Sequence, residues 1–253
     1  MATRALSDLT WEETRDLMAR RVVAVLPVGA VEAHGPHLPL VTDIIIADAM
    51  ARAGAARLER RGVPTMVMPP LAYTPAPFAA GFPGTISLRE ETTTAILTDL
   101  AASLARHGVT ILALANAHLD PANIRALSAA AGAARETAAI RIVFPDITRA
   151  PWASRLTPEF KSGACHAGRY ESSIILATRP DLVRDTTRRT LPPNPASLSA
   201  AIREGKTTFE QAGGPAAYFG YPADASVKEG ETTIAVLGSI LEEAVLEELG
   251  DAA

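Results

Sequence analysis

The sequence holds a single cysteine, Cys165. No intrachain disulfide can form, and this usage suits a reducing, cytoplasmic setting. Basic charge is not in excess either. The 24 Lys and Arg against 28 Asp and Glu leave a formal net charge of -4, which offers no footprint for nucleic acid. Long apolar runs are missing. Residues 22–31 form the strongest one, which is too short to cross a bilayer and is interrupted by Pro27. Residues 1–16 carry acidic groups and lack the apolar core of a signal peptide. A soluble protein without a membrane partner is expected. There is no internal repeat, no Gly-x-Ser-x-Gly elbow, and neither a P-loop nor a Gly-x-Gly-x-x-Gly fingerprint. Cys165 stands beside His166, but chain neighbours point apart and a nucleophile needs its base within hydrogen-bond reach. The thiol therefore reads as a small packing group.

What is present is an ordinary globular composition, 48% hydrophobic and 21% charged over 253 residues. It suits one large α/β domain over residues 1–253. Short apolar runs at 22–28, 63–68, 109–115 and 140–144 read as buried strands. Helical spacing fills 43–60, 90–107 up to Gly108, and 121–137 with Pro121 in its first turn. Further helices are expected at 171–178 and 231–249, and the proline-rich 191–195 reads as a loop. Strands alternating with helices imply βαβ units and a mainly parallel sheet covered on both faces. In such sheets ligands bind beyond the carboxyl ends of the strands.

The polar residues of interest fall at those ends. Glu32 and His34 follow the first apolar run, His118 and Asp120 the third, and His166 and Glu171 precede a late helix. Glu32 and His34 are two residues apart, so in an extended stretch both face one side. Gly35, Pro36 and Pro39 give their loop a set shape, and Asp43 opens a helix, where a carboxylate is favoured. Carboxylates with imidazoles suit zinc, manganese or iron. Taken singly, each has a plainer reading, with Asp43 as a helix cap and His34 as a loop residue. Among the five histidines, His107 precedes Gly108 and reads as a structural or solvated helix-end residue. His37 reads as an orienting group or a substrate contact. Tyr73, Phe78, Trp152 and Tyr170 are further candidates for substrate contact, against the plainer reading that most aromatics are core.

Residues 27–43, Pro-Val-Gly-Ala-Val-Glu-Ala-His-Gly-Pro-His-Leu-Pro-Leu-Val-Thr-Asp, resemble the signature of the creatininase (creatinine amidohydrolase) family. Residues 82–87 (Phe-Pro-Gly-Thr-Ile-Ser), 116–123 (Asn-Ala-His-Leu-Asp-Pro-Ala-Asn), 166–172 (His-Ala-Gly-Arg-Tyr-Glu-Ser) and 220–225 take the places of later blocks in order. The likeness covers about residues 8–248. It implies a three-layer α/β/α fold, a homo-oligomer (a hexamer or dimer-based), two divalent ions, and hydrolysis of a C–N bond in a cyclic amide or formamide. By position it assigns Glu32 and His118 to one ion, His34 to the other, and Asp43 as the bridge. The last ligand is Asp120 if the chain follows creatininase-like members, or Glu171 if it follows members with glycine at that place. Zinc is the expected metal, with manganese or iron(II) as alternatives. Two departures bear on substrate choice more than on metal binding. Leu119, Asp120 and Pro121 replace the usual glycines, and Ala79 stands where many members have histidine.

Amides resist hydrolysis because water is a weak nucleophile and an amine leaves poorly. Divalent ions generate a nucleophile from water near neutral pH and stabilise the tetrahedral oxyanion. A further group must protonate the departing nitrogen. His166 is the candidate, since imidazole titrates near neutrality; its plainer reading is a structural histidine. Two other readings compete. A non-catalytic metal-binding or assembly protein would turn over no amide, formamide or short peptide. A metal-dependent lyase or isomerase would turn over without incorporating water oxygen.

Overall fold

The computed structural model describes residues 4–137 and 140–250. Four parallel strands form one sheet: β1 (Val23–Val28), β2 (Thr65–Val67), β3 (Ile111–Asn116) and β4 (Arg141–Val143), in the order β2-β1-β3-β4. Val25 pairs with both Val67 and Ala113, and Ala113 with Val143. Helix α1 (Trp11–Met18) precedes the sheet, and α2 (Thr42–Arg60), α3 (Glu90–Ala105) and α4 (Pro121–Thr137) connect its strands. Short helices α5 (Pro158–Ser162), α6 (Arg169–Thr178), α7 (Asp185–Thr190) and α8 (Leu198–Arg203) follow, and α9 (Val227–Gly250) closes the described chain.

Side chains alternate across a strand, and both faces of this sheet are covered. Val23 and Val25 pack with Ile46 and Met50 of α2, Ile174 of α6 and Leu241 of α9. Ala24, Leu26 and Val28 pack on the other face with Leu17 of α1, Leu97 of α3 and Leu127 of α4. The result is the α/β/α layering expected, and double-sided burial explains why these strands read as unbroken apolar runs. The edge strands are shorter than the runs at 63–68 and 140–144. Pro64, Pro69 and Pro70 bound β2 and Pro145 follows β4, and proline has no N–H for the ladder. Helix α3 stops at Ala105 rather than His107, because the Val109 N–H turns back to Leu104 O. Helices α6 and α9 begin earlier than expected, α9 because the Ser226 hydroxyl accepts from Glu229 N. No helix among the described residues is long and apolar enough to cross a membrane.

The chain leaves β1 towards β2 on one side and returns through α3 to β3 on the other. β1 and β3 are neighbours whose carboxyl-end connections diverge, which opens a crevice between them.

Candidate metal centre

At the end of β1, Gly29 lets the strand lie against the start of α2. A Cβ there would stand 2.7 Å from Ile44 N and 2.8 Å from the Asp43 carbonyl carbon. Asp43 is thus held in the first turn of α2, beside the loop that carries Glu32 and His34. That loop is braced by hydrogen bonds from Glu32 N to Leu40 O (3.0 Å) and from Ile86 N to Val31 O (2.9 Å). After β3, the side-chain amides of Asn116 and Asn123 each donate to His118 O at 2.8 Å, which fixes the backbone of that residue. His166 and Glu171 arrive from far along the chain, on the segment entering α6. Glu159 pins this segment. Its carboxylate accepts from the N–H groups of Arg169 (3.0 Å), Tyr170 (2.6 Å) and Tyr221 (2.7 Å), and it leaves no room for a Cβ at Gly168.

Glu32, His34, Asp43, His118, His166 and Glu171 meet here, all buried. Each histidine ties one ring nitrogen to a backbone carbonyl: His34 Nδ1 to Glu32 O at 3.1 Å, His118 Nε2 to Pro75 O at 2.8 Å, and His166 Nε2 to Ala33 O at 2.9 Å. A ring N–H donating there leaves the other nitrogen with its lone pair, and it faces the carboxylates. His34 Nε2 lies 3.1 Å from Asp43 Oδ1 and 3.6 Å from Glu171 Oε2. His118 Nδ1 lies 2.9 Å from Asp43 Oδ2 and 3.2 Å from Glu32 Oε1. His166 Nδ1 is more distant, 3.8 Å from Glu32 Oε1.

These atoms fall into three sets, each within 4.8 Å of one another: Glu32, Asp43 and His118; His34, Asp43 and Glu171; and Glu32, His34 and His166. Asp43 belongs to the first two and turns one oxygen towards each histidine. Glu32 Oε2, Asp43 Oδ2 and His118 Nδ1 are buried without a hydrogen-bond partner. Buried polar atoms are ordinarily satisfied, so converging lone pairs of this kind fit a divalent cation with nitrogen and oxygen ligands.

The electrostatics favour positive charge at the same place. Burial works against charge on His34, but Asp43, Glu171 and Glu32 outweigh it and raise its pKa to about 10. His118 is raised in the same way, with Glu32 and Asp43 prevailing over burial. Burial pushes Glu171 up to about 8, opposed by His34. Asp43 is held below the ordinary carboxylate range, because His34 and His118 overcome its burial. A site of this charge draws cations, and protons compete with metal for it. His166 differs. Burial, then neighbouring His34, hold it well below the usual imidazole value, so it is neutral at pH 7. Its ring packs on those of His34 and Phe209, tilted 36° and 34° to them, with centroids 4.3 Å from each.

A cavity of about 960 Å³ opens over Glu32, Asp43, His118, His166 and Glu171. Phe78 lines it, as do Phe209 and Asp120. The other substrate-contact candidates, His37, Tyr73, Trp152 and Tyr170, lie outside the lining. His37 is buried, with Nε2 bonded to Ser172 Oγ at 2.9 Å, and burial lowers its pKa to about 4. Tyr170 packs its ring on Phe160 at 5.0 Å. Trp152 lies under the Arg155 guanidinium, 5.7 Å away. Tyr73 is 47% exposed. Asp120 is in none of the three sets, since its carboxylate accepts from Ala122 N (2.8 Å) and Phe78 N (3.2 Å). Cys165 lines the cavity, but burial and nearby Glu171 push its thiol up to about 12, which keeps it from acting as a nucleophile. Glu159 and Phe209 escaped the reading of the sequence. Glu159 works through a contact with Tyr221, 62 residues away, and no local pattern encodes that.

A family model for creatininases, described as creatinine amidohydrolase, matches residues 7–245. The chain is 32% identical over 223 residues to the mycofactocin precursor peptide peptidase of Mycobacterium tuberculosis, covering 84% of this chain and 80% of that protein. It is 31% identical over 194 residues to the creatinine amidohydrolase of Pseudomonas putida, covering 70% and 73%. Among solved structures, it resembles a manganese creatininase with a TM-score of 0.71 and 27% identity, covering 97% of this chain and 98% of the other. The chain therefore belongs to the creatininase family, whose members are hydrolases.

Proposed function

We propose that the protein, acting as a single catalytic domain, hydrolyses a C–N bond of a small amide with the help of two divalent ions, zinc or manganese. Glu32 and His118 would hold one ion and His34 and Glu171 the other, with Asp43 within reach of both sets. The observation that carries this reading is the shared orientation of the histidines: each donates one ring nitrogen to a backbone carbonyl and turns the other onto carboxylates that lie under one cavity. When bound, the ions supply Lewis acidity, acidifying water and polarising the scissile carbonyl. His166 handles the proton. Neutral at pH 7, it accepts a proton at Nδ1 as water adds to the carbonyl carbon. It then returns that proton to the nitrogen as the C–N bond breaks, leaving an acid and an amine. The bond from Nε2 to Ala33 O holds this tautomer. Phe209 against the ring limits water access to it. A cytoplasmic, homo-oligomeric protein fits the single cysteine and the exposed apolar residues.

Chelation should abolish turnover of cyclic amides, formamides and short peptides, and zinc or manganese should restore it. Elemental analysis should then give two ions per chain. His166→Gln should keep both ions and lose about 10²–10⁴-fold in kcat. Full activity without metal sinks the reading. Loss of an ion in His166→Gln moves that histidine into the ligand set. No turnover by the loaded protein across the panel favours a non-catalytic metal-binding role.

A further inference from the structure

The cavity reverses its charge from floor to mouth. The carboxylates in its lining, Glu32, Asp43, Asp120 and Glu171, are all buried. The exposed charges in the lining are all cations: Arg125, Arg149, Lys161 and Arg203. Two of these are engaged, Arg125 by Glu90 at 3.0 Å and Arg149 by Asp146 at 3.2 Å. Lys161 and Arg203 have no ion-pair partner among the described residues. They stand on α5 and α8, whose facing ends are stitched together. Ser197 Oγ donates to Ser162 O at 2.9 Å, and Ser199 N donates to Gly163 O at 3.3 Å. Two cations without an ion-pair partner therefore stand, on two joined helices, in the lining that also contains Cys165 and His166. The volume, about 960 Å³, lies near the top of the range of about 300–1,000 Å³ for pockets that enclose drug-sized ligands. A lone amide ring would leave much of it empty.

We propose that the substrate amide carries an anionic group, a carboxylate or a phosphate, held by Lys161 and Arg203 while the amide lies over His166 and the floor. This names the substrate class of the amide-hydrolase reading and rests on it. Charges at the mouth of a low-dielectric cleft focus the field and raise capture of ligands of opposite sign. The guanidinium fork matches the paired oxygens of either anion, and the ammonium adds a point charge. Neither cation has to abandon an existing partner to bind. A cationic amide would be repelled at the same place.

The test uses zinc- or manganese-loaded protein and matched substrates. Formyl-alanine and acetyl-Ala-Ala are each assayed as the free acid and as the carboxamide, together with acetyl-Ala-phosphoserine-amide. An anionic member should show kcat/KM about tenfold above its neutral counterpart, fading as ionic strength rises. Which anion shows it tells carboxylate from phosphate. The combined substitution Lys161→Gln and Arg203→Gln should erase the preference, mainly through KM; both residues are exposed, so folding is not at stake. Equal kcat/KM for charged and neutral members, or a preference that survives the double substitution, overturns the inference and leaves amide hydrolysis standing. No turnover of any member brings down both.

Discussion

Asp120 and Glu171 bring the same functional group into the same cavity in different bonding states. The Asp120 carboxylate is committed to two N–H groups, Ala122 in the first turn of α4 and Phe78, 42 residues earlier in the chain. Pulling it away would strand buried donors, at about 1–3 kcal/mol each. Glu171 accepts one N–H, from Ala167 at 2.6 Å, and lies 3.6 Å from His34 Nε2. Glu171→Gln should therefore lose one ion and keep the other, while Asp120→Asn should keep both and change KM or stability instead. Metal analysis after gel filtration decides, and the opposite pattern reverses the assignment. Much of this centre was legible in the sequence for a physical reason. Glu32 and His34 sit two residues apart on the loop after a buried strand and Asp43 opens the helix that follows, so three of the groups lie within one short segment. His118 and His166 stood out because histidine is scarce here. Tyr73, Trp152 and Tyr170 were singled out by residue type, and a large ring serves packing as readily as ligand contact. Glu159 was invisible because a carboxylate that receives three distant N–H groups looks like any other in the sequence.

At the level of elements, the strands announced themselves because helices cover both faces of the sheet. Their ends did not, since prolines beside β2 and β4 cut the ladder short of the apolar runs. Helix α1 is absent from the sequence reading, although the reciprocal cap between Thr10 and Glu13 is a local signal for it. Helices α5, α7 and α8 span only five or six residues, too few for a period to show. The pairing of α2 with α9 is a tertiary event that no local pattern carries. A Cβ on Gly54 would strike Leu241, so the helices approach closely, and Glu242 clasps Arg57 at 2.6 Å and Arg61 at 3.2 Å. Burial alone would raise the Glu242 carboxyl, but the two guanidiniums outweigh it and hold it below its ordinary value of 4.5. Folding thus favours the ionised form. The stabilisation is fully present above that ordinary value and fades as pH falls through the lowered one. Both arginines are partly exposed, so solvent screens part of the attraction. Glu242→Gln should cost about 1–2 kcal/mol at pH 7 and progressively less in acid, below the ordinary value of 4.5. Urea unfolding at neutral and acid pH measures this, and a difference independent of pH would assign the effect to packing rather than charge.

For the whole molecule the expectation is self-association, in line with a mean hydropathy of +0.14. The fold adds a location. Leu40, Val41, Tyr73 and Ile86 are 36–47% exposed, and they lie on adjoining segments. Glu32 N bonds Leu40 O, Ile86 N bonds Val31 O, and Leu88 N bonds Thr74 O. Clustered exposed apolar side chains mark contact surfaces, and full burial of each is worth about 1.5–3 kcal/mol. This cluster sits on the outside of the loop that carries Glu32 and His34, two residues before Asp43. A second copy docked there would restrain the loop, so association and metal retention should be coupled. Light scattering at micromolar concentration should give at least twice 26.5 kDa. Leu40→Ser with Ile86→Ser should shift the protein to monomer and raise the rate at which a chelator strips its ions. A 26.5 kDa particle from the unsubstituted chain would refute self-association. A monomeric double variant that surrenders its ions no faster would show that the patch joins copies without bracing the site.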